Sequence, residues 1–514
     1  MSSAFSSGEA RRALISRIWK RDPTVWSEDA STPEISNRLG WLTVPEDMAD
    51  QIDALEKFAR VVRAEFESVV LLGMGGSSLA PLVLHRTFGS ADGFPAFTVL
   101  DSTHPEAIHA VDEATPPDGT LFIVASKSGT TLETRSLLEH YWDMTEGRGS
   151  QFVAITDRDT PLAKLSDQRQ FGRTFINPTD IGGRYSALSL FGLVPAATMG
   201  IDIARLIRRA GKMAEECRRT DLDENPGAVL GTLMGEAVLA GRDRLTLLLS
   251  SRIASFGLWV EQLVAESTGK AGKGILPLTS VEVEPYGEES DRLLFIGVDL
   301  LDSDRALLRA SREQMATSDH PATVLELMDP YDLGGEFFRW CFAIAFAGAV
   351  LGVNPFDQPN VAESKSNTQR VLEGPTEAPT AYAAPREIER FLERVEPGAY
   401  LSLMAYLPPT EDNDQRLERV RLALENRLGV AVTTGYGPRL LHSTGQLHKG
   451  GPATGHFVQI LNPSFDHDVS VPGKHYTFGR LLTAQADGDF EALRARGRPI
   501  VRVPSAEELL EVAT

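Results

Sequence analysis

A loop rich in hydroxyl side chains follows one of the apolar segments in the first third of the chain. The stretch FIVASKSGTTLET, residues 122–134, begins as a run of strand character and ends in a pattern typical of a helix start. The loop between them carries Ser126, Lys127, Ser128, Thr130 and Thr131. Hydroxyl groups next to a helix N-terminus suit a phosphate monoester. We therefore expect this loop to bind one phosphate of a small molecule.

A second loop, GMGGSS at residues 73–78, also follows a predicted strand. Its glycines, Gly75 and Gly76 among them, let backbone N–H groups approach an anion, and Ser77 adds a hydroxyl. Taken alone, the pattern is equally compatible with a tight turn. It is neither a dinucleotide fingerprint nor a Walker loop, because it reads GxGGxS and no lysine follows in the required place.

An arginine follows two glycines in NPTDIGGRYSALSLFGLVPA, residues 177–196. A lone arginine is most often a surface residue or part of a structural ion pair. Here Gly183 and Arg184 open an otherwise apolar helix, which favours a buried arginine that faces a ligand. Such a cation could stabilise negative charge that develops during a reaction.

A glutamate lies on a predicted helix in WVEQLVAESTGKAGKGILP, residues 259–277. Gln262 and Glu266 are four positions apart and so share a helical face. A glutamate on a helix is usually solvated. This one follows an apolar run, and partial desolvation would raise its pKa and suit it to act as a general base near neutral pH.

The composition restricts the partners of the protein. A formal charge of −20 over 514 residues argues against nucleic acid or an anionic membrane surface. Cys217 and Cys341 have no metal-ligand spacing, so we expect no zinc site, no disulfide and a cytoplasmic location. The most apolar stretch, 337–353, is interrupted by Arg339 and predicts a buried helix rather than a membrane span. No signal peptide is recognisable at the N-terminus.

Apolar runs alternate with helical patterns from residue 69 onwards, which predicts parallel sheets wrapped by helices. The predicted strands of the first series are residues 69–76, 97–102, 121–126 and 152–157. Those of the second series are 244–251, 292–300 and 323–329. A Pro- and Thr-rich segment, 366–386, is predicted to be a linker or surface loop, and strands at 399–407, 429–438 and 455–462 follow it.

The predicted fold class is α/β, with two doubly wound parallel-sheet subdomains followed by an α/β C-terminal segment. An N-terminal helical lead-in and the first subdomain occupy residues 1–215, and the second subdomain occupies 216–370. The linker and the C-terminal segment occupy 371–514.

Five motifs together resemble phosphoglucose isomerase, a family built from sugar-isomerase (SIS) subdomains. They occur in the family's order between residues 69 and 365. They are the GxGGS loop at 73–77, the phosphate loop at 126–131, GGR-Y-S at 182–186, Q-x-x-x-E-S-x-G-K at 262–270, and NPFDQPNVAESK at 354–365. The last motif places Lys365 on the family's active-site lysine. Ser128 stands where the family's phosphate loop has its first threonine.

The chain departs from the family at the histidine that opens the sugar ring. The family's T-N-G-Q-H segment is missing, and residues 271–300 contain no histidine. A similar string, HSTGQLHKGG at 442–451, occurs near the C-terminus and places His442 on the ring-opening position, with His448 as the alternative. This displaced arrangement resembles the isomerase portion of bifunctional transaldolase/phosphoglucose isomerase proteins, although 514 residues leave no room for a transaldolase barrel.

The resemblance implies reversible isomerisation of glucose 6-phosphate and fructose 6-phosphate in glycolysis and gluconeogenesis, with no metal and no other cofactor. The implied catalytic residues are Glu266, Arg184, Lys365 and one of His442 and His448. The implied substrate-binding residues are Gly75, Gly76, Ser77, Ser126, Lys127, Ser128, Thr130, Thr131, Gly183 and Gln262. Glu266 would carry a proton between C2 and C1 through a cis-enediol.

Two other functions fit the same motifs. One is isomerisation of another sugar phosphate, such as mannose 6-phosphate or an amino sugar phosphate. The other is a non-catalytic module that binds sugar phosphates for regulation, which would have no use for Glu266, Arg184 and a histidine together. The family also implies a homodimer in which the histidine acts across the subunit boundary.

Overall fold

The computed structural model describes residues 8–279, 291–301, 320–374 and 381–513, and within these it describes only the backbone of residues 361–365. Three parallel sheets organise this part of the chain. The first contains β1 Ser68–Leu72, β2 Ala96–Leu100, β3 Thr120–Ala125, β4 Phe152–Thr156 and β5 Arg173–Ile176. The second contains β6 Arg244–Leu249, β7 Leu276–Thr279, β8 Leu293–Leu300 and β9 Ala322–Leu327. The third contains β10 Tyr400–Tyr406, β11 Ala431–Tyr436, β12 Gly455–Leu461 and β13 Ile500–Val503.

The first four strands of each sheet follow the same order, and the first sheet has a fifth strand at its edge. The first runs β2-β1-β3-β4-β5, the second β7-β6-β8-β9 and the third β11-β10-β12-β13. All neighbouring strands within a sheet are parallel. The predicted α/β class with two doubly wound units is confirmed. The C-terminal segment contains a third parallel sheet whose strand order matches that of the other two.

Helices connect the strands and cover the sheets. In chain order they are α1 Gly8–Trp19, α2 Val44–Ala49, α3 Ile52–Glu65, α4 Leu79–Phe88, α5 Pro105–Ala114, α6 Leu132–Met144, α7 Pro161–Gln168, α8 Leu190–Thr198 and α9 Ile203–Glu216. They continue with α10 Pro226–Leu239, α11 Phe256–Thr268, α12 Leu333–Leu351, α13 Pro359–Glu373, α14 Pro385–Leu392, α15 Glu411–Leu428, α16 Gly445–Gly450, α17 Phe478–Ala495 and α18 Ala506–Ala513.

Every run of apolar residues that the sequence singled out as a strand contains one, within a few residues at each end. Three strands were missed: β5, β7 and β13. Each has only four residues, which is too short for a period to be recognised. The predicted linker at 366–386 is wrong at its start, because α13 continues to Glu373. The domain boundaries stay a prediction, and each sheet lies inside one of the three ranges.

The apolar helix α12 lies in the core. By length and composition, residues 330–351 could cross a membrane, but 94% of their most apolar window is buried inside the protein. Helix α10 packs closely against α12 because Gly231 has no side chain: a Cβ there would lie 2.5 Å from the carbonyl oxygen of Ala343. The prediction of a buried core helix is confirmed.

Candidate active site

A cavity of about 580 Å³ opens beyond the carboxyl ends of the first sheet. Loops after β1, β3 and β4 meet helix α11 and the turn that precedes α16 there. Most of the site residues expected from the sequence line this cavity: Gly75, Gly76, Ser77, Lys127, Ser128, Thr131, Gly183, Arg184, Gln262, Glu266 and His442. The ends of parallel strands are where open α/β sheets bind ligands, so the location agrees with the fold.

The glycines of the GMGGSS loop allow three chain segments to meet. Gly75 has φ +54°, and a Cβ there would lie 2.9 Å from both the Gln262 amide and the carbonyl oxygen of His442. At Gly76 a Cβ would lie 2.2 Å from the carbonyl oxygen of Gly183. A side chain at either position would push these segments apart. The loop is therefore more than a tight turn, because it closes one wall of the cavity.

The hydroxyl-rich loop presents Ser128 and Thr131 to the cavity immediately before α6. Two of its predicted binding residues do not line the cavity. Ser126 is buried and its hydroxyl lies 3.0 Å from that of Thr131, while the hydroxyl of Thr130 lies 2.9 Å from that of Ser128. These two residues thus support the hydroxyls that face the cavity.

Ion pairs compensate the acidic side chains around the cavity. Glu34 pairs with Arg38, Asp157 with Lys127, Asp180 with Arg21 and Glu266 with Arg184. Burial raises the pKa of the Asp157 carboxyl, and the neighbouring Lys127 ammonium opposes that rise. Lys127 also donates to the carbonyl oxygen of Thr179 at 2.9 Å.

Arg158 lines the same cavity and forms no ion pair with any residue that the structure describes. It is therefore a cation whose charge is available to an anionic ligand. Arg158 was not predicted from the sequence, and its one local signal is that it follows strand β4 at the ligand-binding edge of the sheet.

Arg184 is fixed from several sides. It is 2% exposed, and its guanidinium donates to the Ser267 hydroxyl at 2.8 Å and to the Gln358 side-chain oxygen at 2.7 Å. It also donates to the carbonyl oxygens of Pro355 and Asp357. One guanidinium nitrogen lies 3.4 Å from a carboxylate oxygen of Glu266. The prediction of a buried arginine that faces the site agrees with this geometry.

Gln262 and Glu266 share one face of α11, as their spacing predicted. The Gln262 amide donates to Glu266 Oε2 at 3.1 Å and to the carbonyl oxygen of His442 at 2.7 Å. Glu266 is 7% exposed. Its two carboxylate oxygens thus contact different groups, Arg184 on one side and Gln262 on the other. Gln262 thus links Glu266 on α11 to the chain segment that carries His442.

His442 ends a short helical turn, Arg439–His442, and reaches the cavity from the third sheet. Its Nε2 lies 2.8 Å from a carboxylate oxygen of Glu133, so the second ring nitrogen, Nδ1, is not taken up by that contact. Glu133 was not predicted from the sequence. Its local signal, an acidic residue in the first turn of α6, is shared by many ordinary helices.

The alternative histidine lies elsewhere. His448 is 2% exposed, and its ring packs 4.9 Å from that of Phe457. Burial, together with the charge of Lys449, lowers the pKa of His448 to about 3. It does not line the cavity. Lys365 belongs to α13, but its side chain lies outside the described residues, so its predicted role stays a prediction.

Lys270 holds the loop that binds Arg184. Its ammonium donates to the carbonyl oxygens of Asn354 and Asp357 and lies 2.7 Å from the Asp357 carboxylate. Burial and the nearby charge of Arg184 lower the pKa of Lys270 to about 7. The lysine that ends the Q-x-x-x-E-S-x-G-K motif therefore stabilises the 354–357 loop, which in turn binds Arg184.

Comparisons with known proteins agree with this geometry. A family model described as phosphoglucose isomerase matches residues 30–278. Glucose-6-phosphate isomerase of Carboxydothermus hydrogenoformans is 28% identical over 399 residues, which cover 65% of this chain and 85% of that protein. The enzyme of the same name from Symbiobacterium thermophilum is 29% identical over 391 residues, which cover 65% of this chain and 87% of that protein.

Two solved structures share the fold. A hypothetical protein from Thermus thermophilus has a TM-score of 0.61 and 25% identity, covering 70% of this chain and 97% of that one. A glucose-6-phosphate isomerase from Chlamydia trachomatis has a TM-score of 0.59 and 19% identity, covering 72% of this chain and 87% of that one. The fold together with these relatives thus indicates an α/β isomerase. Within that class the chain is related to phosphoglucose isomerase, and the resemblance seen in its motifs is confirmed.

Proposed function

We infer that the protein is an enzyme, a glucose-6-phosphate isomerase that interconverts glucose 6-phosphate and fructose 6-phosphate. One observation carries this conclusion. Glu266 lies 3.4 Å from the buried Arg184 in a cavity that His442 and the phosphate loop also line. A base, a cation for enediolate charge, a proton-transfer group and a phosphate site are the four parts that aldose–ketose isomerisation of a ring-closed sugar phosphate requires.

The phosphate is bound at the edge of the first sheet. Ser77, Ser128 and Thr131 supply hydroxyl donors, and the N-terminus of α6 adds backbone N–H groups and the positive end of its dipole. Arg158 adds a positive charge at the cavity wall. A dianionic phosphate monoester matches this combination of donors.

Ring opening is the first chemical step. Glu133 contacts Nε2 of His442, so Nδ1 transfers a proton from the anomeric hydroxyl to the ring oxygen as the C1–O5 bond breaks. The product is the open-chain aldehyde.

Isomerisation follows at C1 and C2. Glu266 removes the proton from C2, the electron pair forms the C1–C2 double bond, and the negative charge develops on O1, where Arg184 stabilises it. The O2 hydroxyl then transfers its proton, through solvent, to O1, which moves the negative charge to O2. Glu266 returns its proton to C1 as the C2–O2 carbonyl of the ketose forms.

A homodimer, a cytoplasmic location and a role in glycolysis and gluconeogenesis are the corresponding proposals at the level of the cell. His442 lies in the cavity of its own chain, which supports a site completed within one chain rather than across a subunit boundary as the family's arrangement implies.

A substrate panel tests the function. Purified protein is assayed with glucose 6-phosphate, mannose 6-phosphate and glucosamine 6-phosphate in the presence of EDTA, and the ketose product is measured. We expect turnover of glucose 6-phosphate to be fastest and unaffected by EDTA. Faster turnover of either other sugar would replace the proposed substrate, and tight binding without any turnover would favour a regulatory module.

A further inference from the structure

A second buried donor binds the carboxylate that holds His442. Gln485, on α17, donates its amide N–H to Glu133 Oε1 at 2.7 Å. The same oxygen lies 2.8 Å from His442 Nε2. Among the residues that the structure describes, Gln485 does not line the cavity and reaches His442 through Glu133. None of the five sequence motifs includes Gln485.

The orientation of this amide is determined by a third residue. The hydroxyl of Thr103 donates to the side-chain oxygen of Gln485 at 2.9 Å. Because that oxygen is occupied as an acceptor, the amide presents its NH₂ group to Glu133. Thr103, Gln485 and Glu133 are 0%, 2% and 4% exposed, so water does not compete for these hydrogen bonds.

Loss of the donor would change the geometry at His442. A hydrogen bond to a charged carboxylate is stronger than one between neutral groups, and a buried partner left without it is destabilised. Glu133 would then lose one of the hydrogen bonds that hold it in the position where one of its oxygens contacts both Gln485 and His442. The imidazole would lose the contact that assigns Nε2 to Glu133 and Nδ1 to the sugar.

We propose that Gln485 is a positioning residue for ring opening, which acts by fixing Glu133 and, through it, His442. The inference rests on the proposed function, because ring opening belongs to that reaction. It also assigns a role to α17, which brings a side chain of the C-terminal segment to a carboxylate of the first sheet's helix α6.

The closing experiment separates ring opening from proton transfer at carbon. Wild-type protein, Gln485→Met and Gln459→Met are compared. Gln459 is the matched control: it is a buried glutamine on β12, its side-chain oxygen accepts from Arg502 Nε at 2.7 Å, and its amide donates to the carbonyl oxygen of Ala486 rather than to the site. Two readouts are used. One is turnover of glucose 6-phosphate. The other is exchange of C1 protons with deuterated solvent in 5-deoxyfructose 6-phosphate, which lacks the hydroxyl that closes the furanose ring.

We expect Gln485→Met to lower kcat for glucose 6-phosphate by about 10-fold to 10²-fold, the size of effect that a misplaced catalytic group produces. KM should stay close to the wild-type value because Gln485 does not touch the cavity. Proton exchange in the open-chain ketose should stay close to wild type. Gln459→Met should leave both readouts near wild type.

An equal loss of both activities in Gln485→Met would overturn the proposal, because it would show a general structural role. Unchanged turnover would overturn it as well. If Gln485→Met fails to fold, Thr103→Val removes the group that orients the amide, and the same selective loss is expected there. The proposed function fails separately, in the case that wild-type protein turns over neither compound.

Discussion

Glu266 combines burial with two directional contacts. The carboxylate lies between the Arg184 guanidinium and the Gln262 amide. Buried apolar residues of helix α11 hold the helix in place. A carboxylate in this setting has little freedom to rotate, which is the condition for transferring one proton between adjacent carbons.

Glu266→Gln tests that role. The amide keeps the shape of the side chain but cannot accept the C2 proton, so we expect kcat to fall by about 10²-fold to 10⁴-fold with little change in binding of a sugar phosphate. Turnover and binding are measured on the same preparation. Glu261→Gln, a change at the neighbouring glutamate that does not line the cavity, should remain active. Wild-type exchange of the C2 proton in Glu266→Gln would show that another group is the base.

We expect opposite phenotypes from substitutions at the two histidines. His442→Ala removes the group that contacts Glu133 and should slow turnover of ring-closed glucose 6-phosphate strongly, while proton exchange in an open-chain ketose persists. His448→Leu replaces a buried ring that packs on Phe457 and should reduce stability while leaving kcat near wild type. Steady-state kinetics and urea unfolding distinguish the two. Full activity of His442→Ala would exclude it as the ring-opening group.

Lys270 predicts a pH-dependent stability. Burial, with Arg184 nearby, lowers its pKa from 10.5 to about 7. Between those values the folded protein binds fewer protons than the unfolded chain does, so the free energy of unfolding rises with pH, by at most about 1.4 kcal/mol per pH unit. The free energy of unfolding gained in this way is complete above pH 10.5, and it is lost progressively as the pH falls from there to about 7. Urea unfolding between pH 7 and pH 9.5 should show the slope in wild type and a smaller one in Lys270→Met, and identical slopes would contradict the assignment.

At the scale of elements, a short turn determines where His442 lies. Arg439 begins the turn that His442 ends, and its guanidinium forms two hydrogen bonds, of 2.8 and 2.6 Å, with the carboxylate of Asp101. Asp101 directly follows β2 and is 4% exposed. Because the two partners belong to different sheets, this pair attaches the turn from the third sheet to the edge of the first.

Arg439→Met should therefore destabilise the protein and misplace the histidine. Removing one partner of a buried ion pair costs about 3–5 kcal/mol, and Arg439→Met with Asp101→Leu should cost less than the two changes added together. The matched control is Arg370→Met, which breaks the exposed pair with Glu491 and should cost about 1 kcal/mol or less. Urea unfolding gives these values, and additive costs in the double variant would contradict the coupling.

At the scale of the whole molecule, residues of all three sheet units of one chain line the cavity. Loops of the first sheet, Glu266 on helix α11 of the second unit and His442 from the third sheet meet there, and the proposed function assigns them the phosphate, the base and the ring-opening group. The C-terminal segment thus contributes to the proposed active site, since the turn before α16 brings His442 to the cavity and α17 contacts Glu133, the residue that holds His442.

Complementation between two inactive variants tests this arrangement. When Glu266→Gln and His442→Ala chains are mixed, unfolded together and refolded, we expect no recovery of activity, because each chain still lacks one of its own groups. A site shared between subunits of a dimer would instead restore about a quarter of the wild-type activity, since half of the random dimers would each contain one complete site. Recovery at that level would show that the histidine crosses the subunit boundary.

The sequence by itself determined the features that depend on neighbouring residues. The strand–loop–helix units, the phosphate loop and the shared helical face of Gln262 and Glu266 could be predicted because periods of two and 3.6 residues place side chains locally. The GGR turn and the glycine loop could be predicted in the same way. Glycine is required where two backbones meet closely, as the contact of Gly76 with Gly183 demonstrates.

Only the tertiary structure decided which histidine enters the cavity and what holds it there. His442 and His448 lie in one short polar segment, and no local pattern separates the residue that meets Glu133 from the one that packs on Phe457. The hydrogen bonds from His442 and Gln485 to Glu133 join residues 309 and 352 positions apart. Contacts over such distances follow from how the three sheets pack together, which sequence periodicity does not encode.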